Sequence, residues 1–181
     1  SGAVIRYTAD GNEPTCFSPL YTGEIKTEQP ENYRFKTFFT PHWGSIAVGI
    51  EKYLHPEMKV TTTIDAHPKC PAQLLADGNE KTFFRSNRRV KDGDTVLFEF
   101  EKPLDCRKIT IKSGAYQTRH YIITHAIVEI STDGERFIRS GWFDAEGDSE
   151  VICTVPIKAL RIVFTEPQYE ERLVLQDLKI E

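Results

Sequence analysis

Long apolar runs are missing from this chain, and no stretch approaches the length of a membrane-spanning helix. An excess of basic residues is missing too. With 23 Lys and Arg against 27 Asp and Glu the formal charge is −4, which argues against nucleic acid, because phosphate binding needs concentrated cations. The four cysteines, Cys16, Cys70, Cys106 and Cys153, make no CxxC and no Cys/His spacing, so zinc is not indicated. Cys106 and Cys153 lie in apolar, strand-like surroundings, where free buried thiols are expected and a disulfide is the alternative. There is no HExxH, no nucleophile elbow and no phosphate-cradling glycine loop. Helix signals are sparse. No leader is visible: the chain opens on Ser1-Gly2 and is almost at once in a strand-like run, as expected of a piece of a longer protein.

What is present supports a buried core. Hydrophobic residues make up 39 % and aromatics 11 %, too many for a disordered chain, and 181 residues hold one large or two small domains. Val4-Ile5-Arg6-Tyr7-Thr8 alternates, and Asp10-Gly11 is expected to turn it as a hairpin. Pro14, Ser18 and Pro19 break the chain before a second alternating run, Tyr33 to Phe39. Pro41-His42-Trp43-Gly44 turns that run, and Ser45 to Tyr53 returns, giving a small antiparallel β unit. Leu54-His55-Pro56-Glu57 interrupts the alternation and marks the boundary between domains at 1–54 and 55–181. Beyond it, Val60 to Ile64 restarts the pattern and a short helical turn fits Ala72 to Leu75. Strands follow near 95–101, 108–113, 125–131, 136–140, 150–155, 159–165 and 173–180, with a strong hairpin turn at Asp133-Gly134. Short strands separated by turn signals argue for a β-sandwich.

Asp77-Gly78-Asn79 is a sharp turn in which oxygen-bearing side chains can converge on a hard cation; a plain surface turn is the alternative. The basic stretch Arg85-Ser86-Asn87-Arg88-Arg89-Val90-Lys91 reads as a solvated loop or as a ligand-facing rim. If the strands run up and down, the loops near 85–94, 114–122, 141–149 and 166–172 share one end of the sandwich. That end is rich in recognition side chains: Arg85, Asn87, Tyr116, Arg119, His120 and Trp142, with Arg88, Gln168 and Tyr169 beside them. A flat aromatic ring covers the apolar face of a pyranose, and Arg, Asn or His bonds to its hydroxyls. Core packing for the aromatics and an ordinary surface position for His120 are the alternatives.

Two resemblances bear on these residues. Ile5-Arg6-Tyr7-Thr8-Ala9-Asp10-Gly11-Asn12-Glu13-Pro14-Thr15, followed by Ser18-Pro19-Leu20-Tyr21-Thr22-Gly23, resembles the small β domain near the C-terminus of chitobiases and β-hexosaminidases, without the strand that usually precedes it. From Asp77 onward the chain resembles the coagulation factor 5/8 type C, or discoidin, family and its family 32 carbohydrate-binding modules. The carriers are Asp77-Gly78-Asn79 with Thr82, Phe84 and Ser86, then Gly93-Asp94 leading into Val96 to Phe100, Ile109 to Gly114, Val128 to Phe137, and Ala159 to Thr165.

The resemblances imply an all-β chain: a small, partial Ig-like antiparallel domain followed by a discoidin-like sandwich. They imply a non-catalytic accessory region of a bacterial glycoside hydrolase, chitobiase- or β-N-acetylhexosaminidase-like, in the periplasm, on the cell surface or secreted. Its partners would be a glycan containing N-acetylhexosamine or galactose and its own catalytic domain, with no nucleic acid and no membrane span. A scaffold packed on the catalytic barrel, or a protein–protein adhesion module, is the alternative. A structural Ca²⁺ is implied at the Leu74 carbonyl, Asp77, Asn79 and Thr82, with Asp177 on the last strand where the family usually has Glu.

Overall fold

Two alternating stretches near the start of the chain pair as antiparallel strands, β1 (Val4–Thr8) and β2 (Arg34–Thr40), in register from Val4–Phe38 to Thr8–Arg34. The computed structural model describes residues 3–40, 43–45, 47–49, 55–79, 81–115 and 120–181. Two compact units emerge, Ser1–Lys52 and Tyr53–Glu181. In the first, the short β3 (Trp43–Gly44) and β4 (Val48–Gly49) pair with the other edge of β2. Tyr7 stacks on Tyr33 at 5.8 Å, and Tyr21 meets Phe35 edge-on at 5.4 Å. This aromatic cluster, with buried Phe38, takes the place of a deep core.

The expected Asp10-Gly11 hairpin is not how β1 finds its partner. The Asp10 side chain accepts from Asn12 N at 3.1 Å in a local turn, and β1 pairs with β2 only after a long irregular connection. Leu20 bridges Arg6, with Tyr7 N donating to Pro19 O, but Pro14 and Pro19 have no N–H to extend a ladder.

In the second unit the strands are β5 (Met58–Thr62), β6 (Phe83–Arg85), β7 (Thr95–Leu104), β8 (Lys108–Ile111), β9 (Ala126–Ser131), β10 (Ile138–Trp142), β11 (Ser149–Ile152), β12 (Ile157–Phe164), β13 (Val174–Gln176) and β14 (Lys179–Ile180). A five-stranded sheet runs in the order β10-β9-β12-β7-β5. Facing it, β11-β8-β14 and β13-β6 form one layer, because a Ser113–Leu175 bridge ties β13 to the end of β8. The period of two places Val96, Phe98 and Phe100 of β7 and Leu160, Ile162 and Phe164 of β12 between the layers. Phe84, Leu75, Ile109, Ile111 and Leu175 complete that core from the second layer.

The last strand is not continuous, as the sequence pattern suggests, but bulged. Ser113 opposes Leu175 while Thr110 opposes Lys179, so the last strand carries one extra residue. The extra residue lets Leu175, Leu178 and Ile180 all reach the core, and it leaves Asp177 buried with its Oδ1 accepting from Leu178 N at 2.8 Å. The helical turn near Ala72 is a 3₁₀ turn, Ala72–Ala76.

Cys106 and Cys153 are free thiols, at the connections after β7 and after β11. Burial, then the neighbouring thiol, pushes Cys106 up to about 12. The Ser113 hydroxyl donates to Gly147 O and accepts from Ile123 N at 2.8 Å, locking the β8–β9 and β10–β11 connections together. Gly147 has φ +78°, and a Cβ there would stand 2.5 Å from Ser113 Oγ and 2.6 Å from Ile122 Cβ. Gly147→Ala should therefore destabilise the sandwich by about 2 kcal/mol or more. Chemical denaturation of the two proteins checks this, and an unchanged midpoint would mean that the joint yields freely.

Candidate functional site

Strand direction fixes which connections lie together. Taking β7 as running from one end to the other, its antiparallel neighbours β12 and β5 return, and β9 and β10 follow. The segments 63–66, 86–94, 112–115, 120–125, 143–148 and 165–173 then gather at one end, and 105–107, 132–137 and 153–156 at the other. Backbone bonds stitch the first group: Asn87 N to Asp65 O (2.7 Å), Gly93 N to Phe164 O (2.8 Å), Thr165 N to His125 O (3.2 Å) and Gln168 N to Val90 O (3.1 Å).

Several polar side chains at this end hold the loops and are not free for a ligand. The Arg88 guanidinium donates twice to Asp94, at 2.7 and 2.9 Å, and also reaches Thr63 O. Burial pushes the Asp94 carboxyl up, but the Arg88 guanidinium, Lys91 N–H and the Thr63 hydroxyl together hold it below its ordinary value. Gln168 is 2 % exposed. Its oxygen accepts from Thr124 N at 2.7 Å, and its amide donates to the carbonyls of His125 and Glu166. Both residues were candidates for recognition in the sequence; both are clamps.

The remaining candidates divide among different surfaces. Asn87 is exposed at the loop-rich end. His120 is exposed too, its Nδ1 3.5 Å from Glu170, whose carboxylate also accepts from Tyr121 N. Tyr121 has φ +67°, a left-handed conformation for a non-glycine residue. Tyr169 is exposed, with its ring edge-on to His125 at 5.0 Å. Tyr116 and Arg119 lie outside the described residues. Trp142 is 69 % exposed and stands between buried Gly141 and Phe143. It projects from the outward face of the five-stranded sheet, beside Ile127. Arg85 belongs to the other layer: Phe84 and its partner Leu175 point into the core, so Phe83, Arg85, Val174 and Gln176 face outward there. The fold thus does not bring Trp142 and Arg85 to one face, because loops that share an end still open onto two sheet surfaces.

On that second outward face lies a cavity of about 650 Å³. Phe83, Val174 and Gln176 floor it, Asn79, Lys81 and Thr82 wall one side, and Gly114 and Ala115 the other. Phe83 remains 39 % exposed. An aromatic surface beside an amide, an ammonium and backbone groups is chemistry suited to a polyhydroxylated ligand with apolar C–H faces. The sequence missed Phe83, which its alternating pattern does not distinguish from core Phe84.

The neighbouring 74–82 loop is built around one hydroxyl. Thr82 Oγ lies 2.7 Å from Asn79 O, 2.9 and 3.0 Å from the two Asp77 oxygens and 3.3 Å from Leu74 O. Asn79 N caps the Asp77 carboxylate at 2.9 Å, and Gly78 supplies φ +69° for the turn. One hydroxyl proton serves one of these four acceptors; Asn79 N and Thr82 N donate to Asp77 and to Asn79 O, and the set still presents four oxygens around a single hydroxyl. A hard cation with oxygen ligands fits such a set. Gln176, not Asp177, shares the cavity with Asn79 and Thr82, while Asp177 sits at the bulge.

The Arg88–Asp94 pair makes a measurable contribution. Asp94's side chain is 10 % exposed, and replacing it leaves a guanidinium without its partner. Asp94→Asn should cost about 2–4 kcal/mol near neutral pH. Because the folded-state carboxyl is depressed, its stabilisation is full above the unfolded value of roughly 3.9 and is lost as pH falls through the folded value. Denaturation at neutral and at strongly acid pH checks both signs: the gap between wild type and variant should shrink in acid.

Comparison with known proteins bears on both units. Residues 1–41 match the family model of the chitobiase/β-hexosaminidase C-terminal domain. No curated protein matches the chain in sequence. Among solved structures, the fold resembles the module CpGH89CBM32-5 of Clostridium perfringens, in complex with GalNAc-β-1,3-galactose, with TM-score 0.54 and 20 % identity over 68 % of this chain and 94 % of that one. It also resembles the family 32 carbohydrate-binding module of C. perfringens NanJ in complex with galactose, with TM-score 0.53 and 16 % identity over 68 % and 92 %. Chitosan-binding module 1 from a chitosanase/glucanase of Paenibacillus sp. IK-5 matches with TM-score 0.58 and 13 % identity over 72 % and 99 %. At these identities the likeness establishes fold. Residues 1–41 are thus similar to the chitobiase/β-hexosaminidase C-terminal domain, and the second unit of this nearly all-β chain shares the discoidin-like β-sandwich fold of family 32 carbohydrate-binding modules.

Proposed function

We propose that this chain is a non-catalytic accessory region of a glycoside hydrolase and that its sandwich binds glycans at the cavity floored by Phe83. The cavity carries the reading: about 650 Å³, open, with one aromatic ring and a few polar groups. Glycoside hydrolysis needs two carboxyl groups facing across a cleft, and among the described lining residues there is none. Solved modules of the same fold hold galactose or GalNAc-β-1,3-galactose, which makes these sugars the first ligands to try. We take the parent enzyme to be chitobiase- or hexosaminidase-like, which the match at residues 1–41 supports, and to work outside the cytoplasm; such binding would raise the effective concentration of substrate at its catalytic domain.

A glycan array followed by calorimetric titration tests this reading. The protein should bind at least one galactose- or N-acetylhexosamine-containing glycan, and Phe83→Ala should weaken that binding about tenfold or more. Trp142→Ala, on the other sheet face, should leave it unchanged. Binding lost with Trp142 but kept without Phe83 would move the site; no binding at all would leave a scaffold or adhesion module.

Calcium is the cation best matched to the 74–82 loop, held by Leu74 O, Asp77, Asn79 and Thr82; its role would be to brace the wall of the cavity. Calcium at a hundredfold excess over its dissociation constant should stabilise the fold by about 2.7 kcal/mol. Thermal melts with calcium and with chelator read this directly. Asp77→Ala should abolish the difference, and melting curves that coincide in wild type would exclude the ion.

A further inference from the structure

The cavity opens beside a group of cations that the fold does not neutralise. Arg85 is the cross-strand partner of Val174 in the cavity floor and lies on the same face as Phe83. His67 donates its backbone N–H to Arg85 O at 2.8 Å, which sets the next segment alongside. Desolvation first, and then the positive charges of Arg85, Arg172 and Lys69, lower the His67 pKa. Backbone bonds from Arg85 N to Cys70 O (3.1 Å) and from Ser86 N to Leu173 O (2.9 Å) set the segments of Lys69 and Arg172 beside Arg85, and Lys81 lines the cavity itself. Among the described residues none of Arg85, Arg172 and Lys69 forms an ion pair. The Arg85 Nε is buried without a hydrogen-bond partner among the described residues. A guanidinium drawn partly out of water with no counter-ion is costly, and an oxyanion relieves that cost. In a chain of net charge −4 such a cluster runs against the general charge.

We infer that the ligand taken at this face is an anionic glycan, bearing a sulfate ester or a uronate carboxylate that Arg85 and Arg172 receive while a sugar ring covers Phe83. The inference rests on the glycan-binding reading and narrows it. The guanidinium fork matches the paired oxygens of either group, and Lys69 and Lys81 add positive potential without fixed geometry. A neutral sugar leaves the Arg85 donors unmatched, so discrimination comes from the charge as well as from the ring. Nucleic acid offers anions too, but the net negative charge of the chain opposes a long polyanion.

Calorimetric titration of the full chain at physiological ionic strength separates the possibilities. The probes are a chondroitin sulfate hexasaccharide, a hyaluronan hexasaccharide, which has carboxylates without sulfate, and neutral GalNAc-β-1,3-galactose. At least one charged oligosaccharide should bind about tenfold or more tightly than the neutral disaccharide, and the margin should shrink as salt rises. Both charged probes carry uronates, so binding of chondroitin sulfate alone assigns the sulfate ester, and binding of hyaluronan as well assigns the carboxylate. Arg85→Gln should remove the margin. So should the paired substitution Arg172→Gln with Lys69→Gln, which touches only exposed side chains and spares the fold. The inference falls if charged probes bind no better than the neutral one, if the paired variant keeps the margin, or if duplex DNA at equal charge displaces the oligosaccharide. Neutral binding without a charge preference would overturn this inference and leave glycan binding standing; silence from all three probes would remove both.

Discussion

The last strand is hydrogen-bonded along both edges, and the arrangement of the second unit follows from that. On one side Val174 to Gln176 pair with β6; on the other Leu175, Lys179 and Ile180 reach β8 and its extension. This single segment brings together two parts of the chain, the 74–85 stretch and the 108–115 stretch, that have no ladder with each other. The space between them is the cavity. Its floor is the outward face of the closing strand, and its walls are the two connections that the strand draws in. The one-residue bulge at Asp177 lets that strand serve both neighbours: without it Leu178 and Ile180 would point to solvent, and the hydrophobic burial that fixes the register would be lost.

Around this frame, polar side chains of the same type play opposite parts. Arg88 and Arg85 are three residues apart in one basic run. Arg88 meets Asp94 and the Thr63 carbonyl, and its charge is spent on joining loops. The Arg85 Nε has no hydrogen-bond partner among the described residues. Gln168 satisfies backbone groups on the 124–125 segment, whereas Gln176 leaves part of its surface to the cavity. Buried polar groups are normally paired, as the clamps are; the buried Arg85 Nε, without a partner among the described residues, departs from that rule on the face that carries the cavity. That division, more than residue type, separates structural from candidate binding side chains.

The alternating runs that became β7, β9 and β12 were legible in the sequence because each buries one face in the core, and burial imposes period two. Asp133-Gly134 was legible because its turn is local, with Gly134 at φ +86°. The Asp10-Gly11 turn misled because turn chemistry reports where a chain bends, not which strand it pairs with. The partner of Arg88 was hidden because ion pairing depends on how loops close, and Asp94 is held in part by Thr63 on a different segment. Phe83 was hidden behind Phe84: in a strand of three residues, no pattern tells which of two adjacent aromatics faces outward. The oxygen-rich loop at Asp77 was legible as a turn of capable side chains. Convergence on Thr82 Oγ, the part with physical consequence, needed the fold.

The cation loop and the basic face border the same cavity from different sides, so under the proposals above they are not independent. The Asp77 carboxylate and the carbonyls beside it set a negative potential behind the wall formed by Asn79 and Thr82, which the Lys81 ammonium of the same wall offsets in part. Arg85 and its neighbours set a positive one near Val174. An anionic ligand between them gains from one wall and loses to the other. A divalent cation seated in the loop would neutralise the unfavourable wall while leaving the favourable one intact. At physiological ionic strength charges interact appreciably over about 8 Å, a span comparable to the cavity itself. Coupling of this kind is reciprocal: whatever calcium adds to the affinity for an anionic glycan, the glycan adds to the affinity for calcium. A neutral glycan would share only the part of that coupling that comes from bracing the loop, which makes the difference between the two ligands a measure of how much is electrostatic.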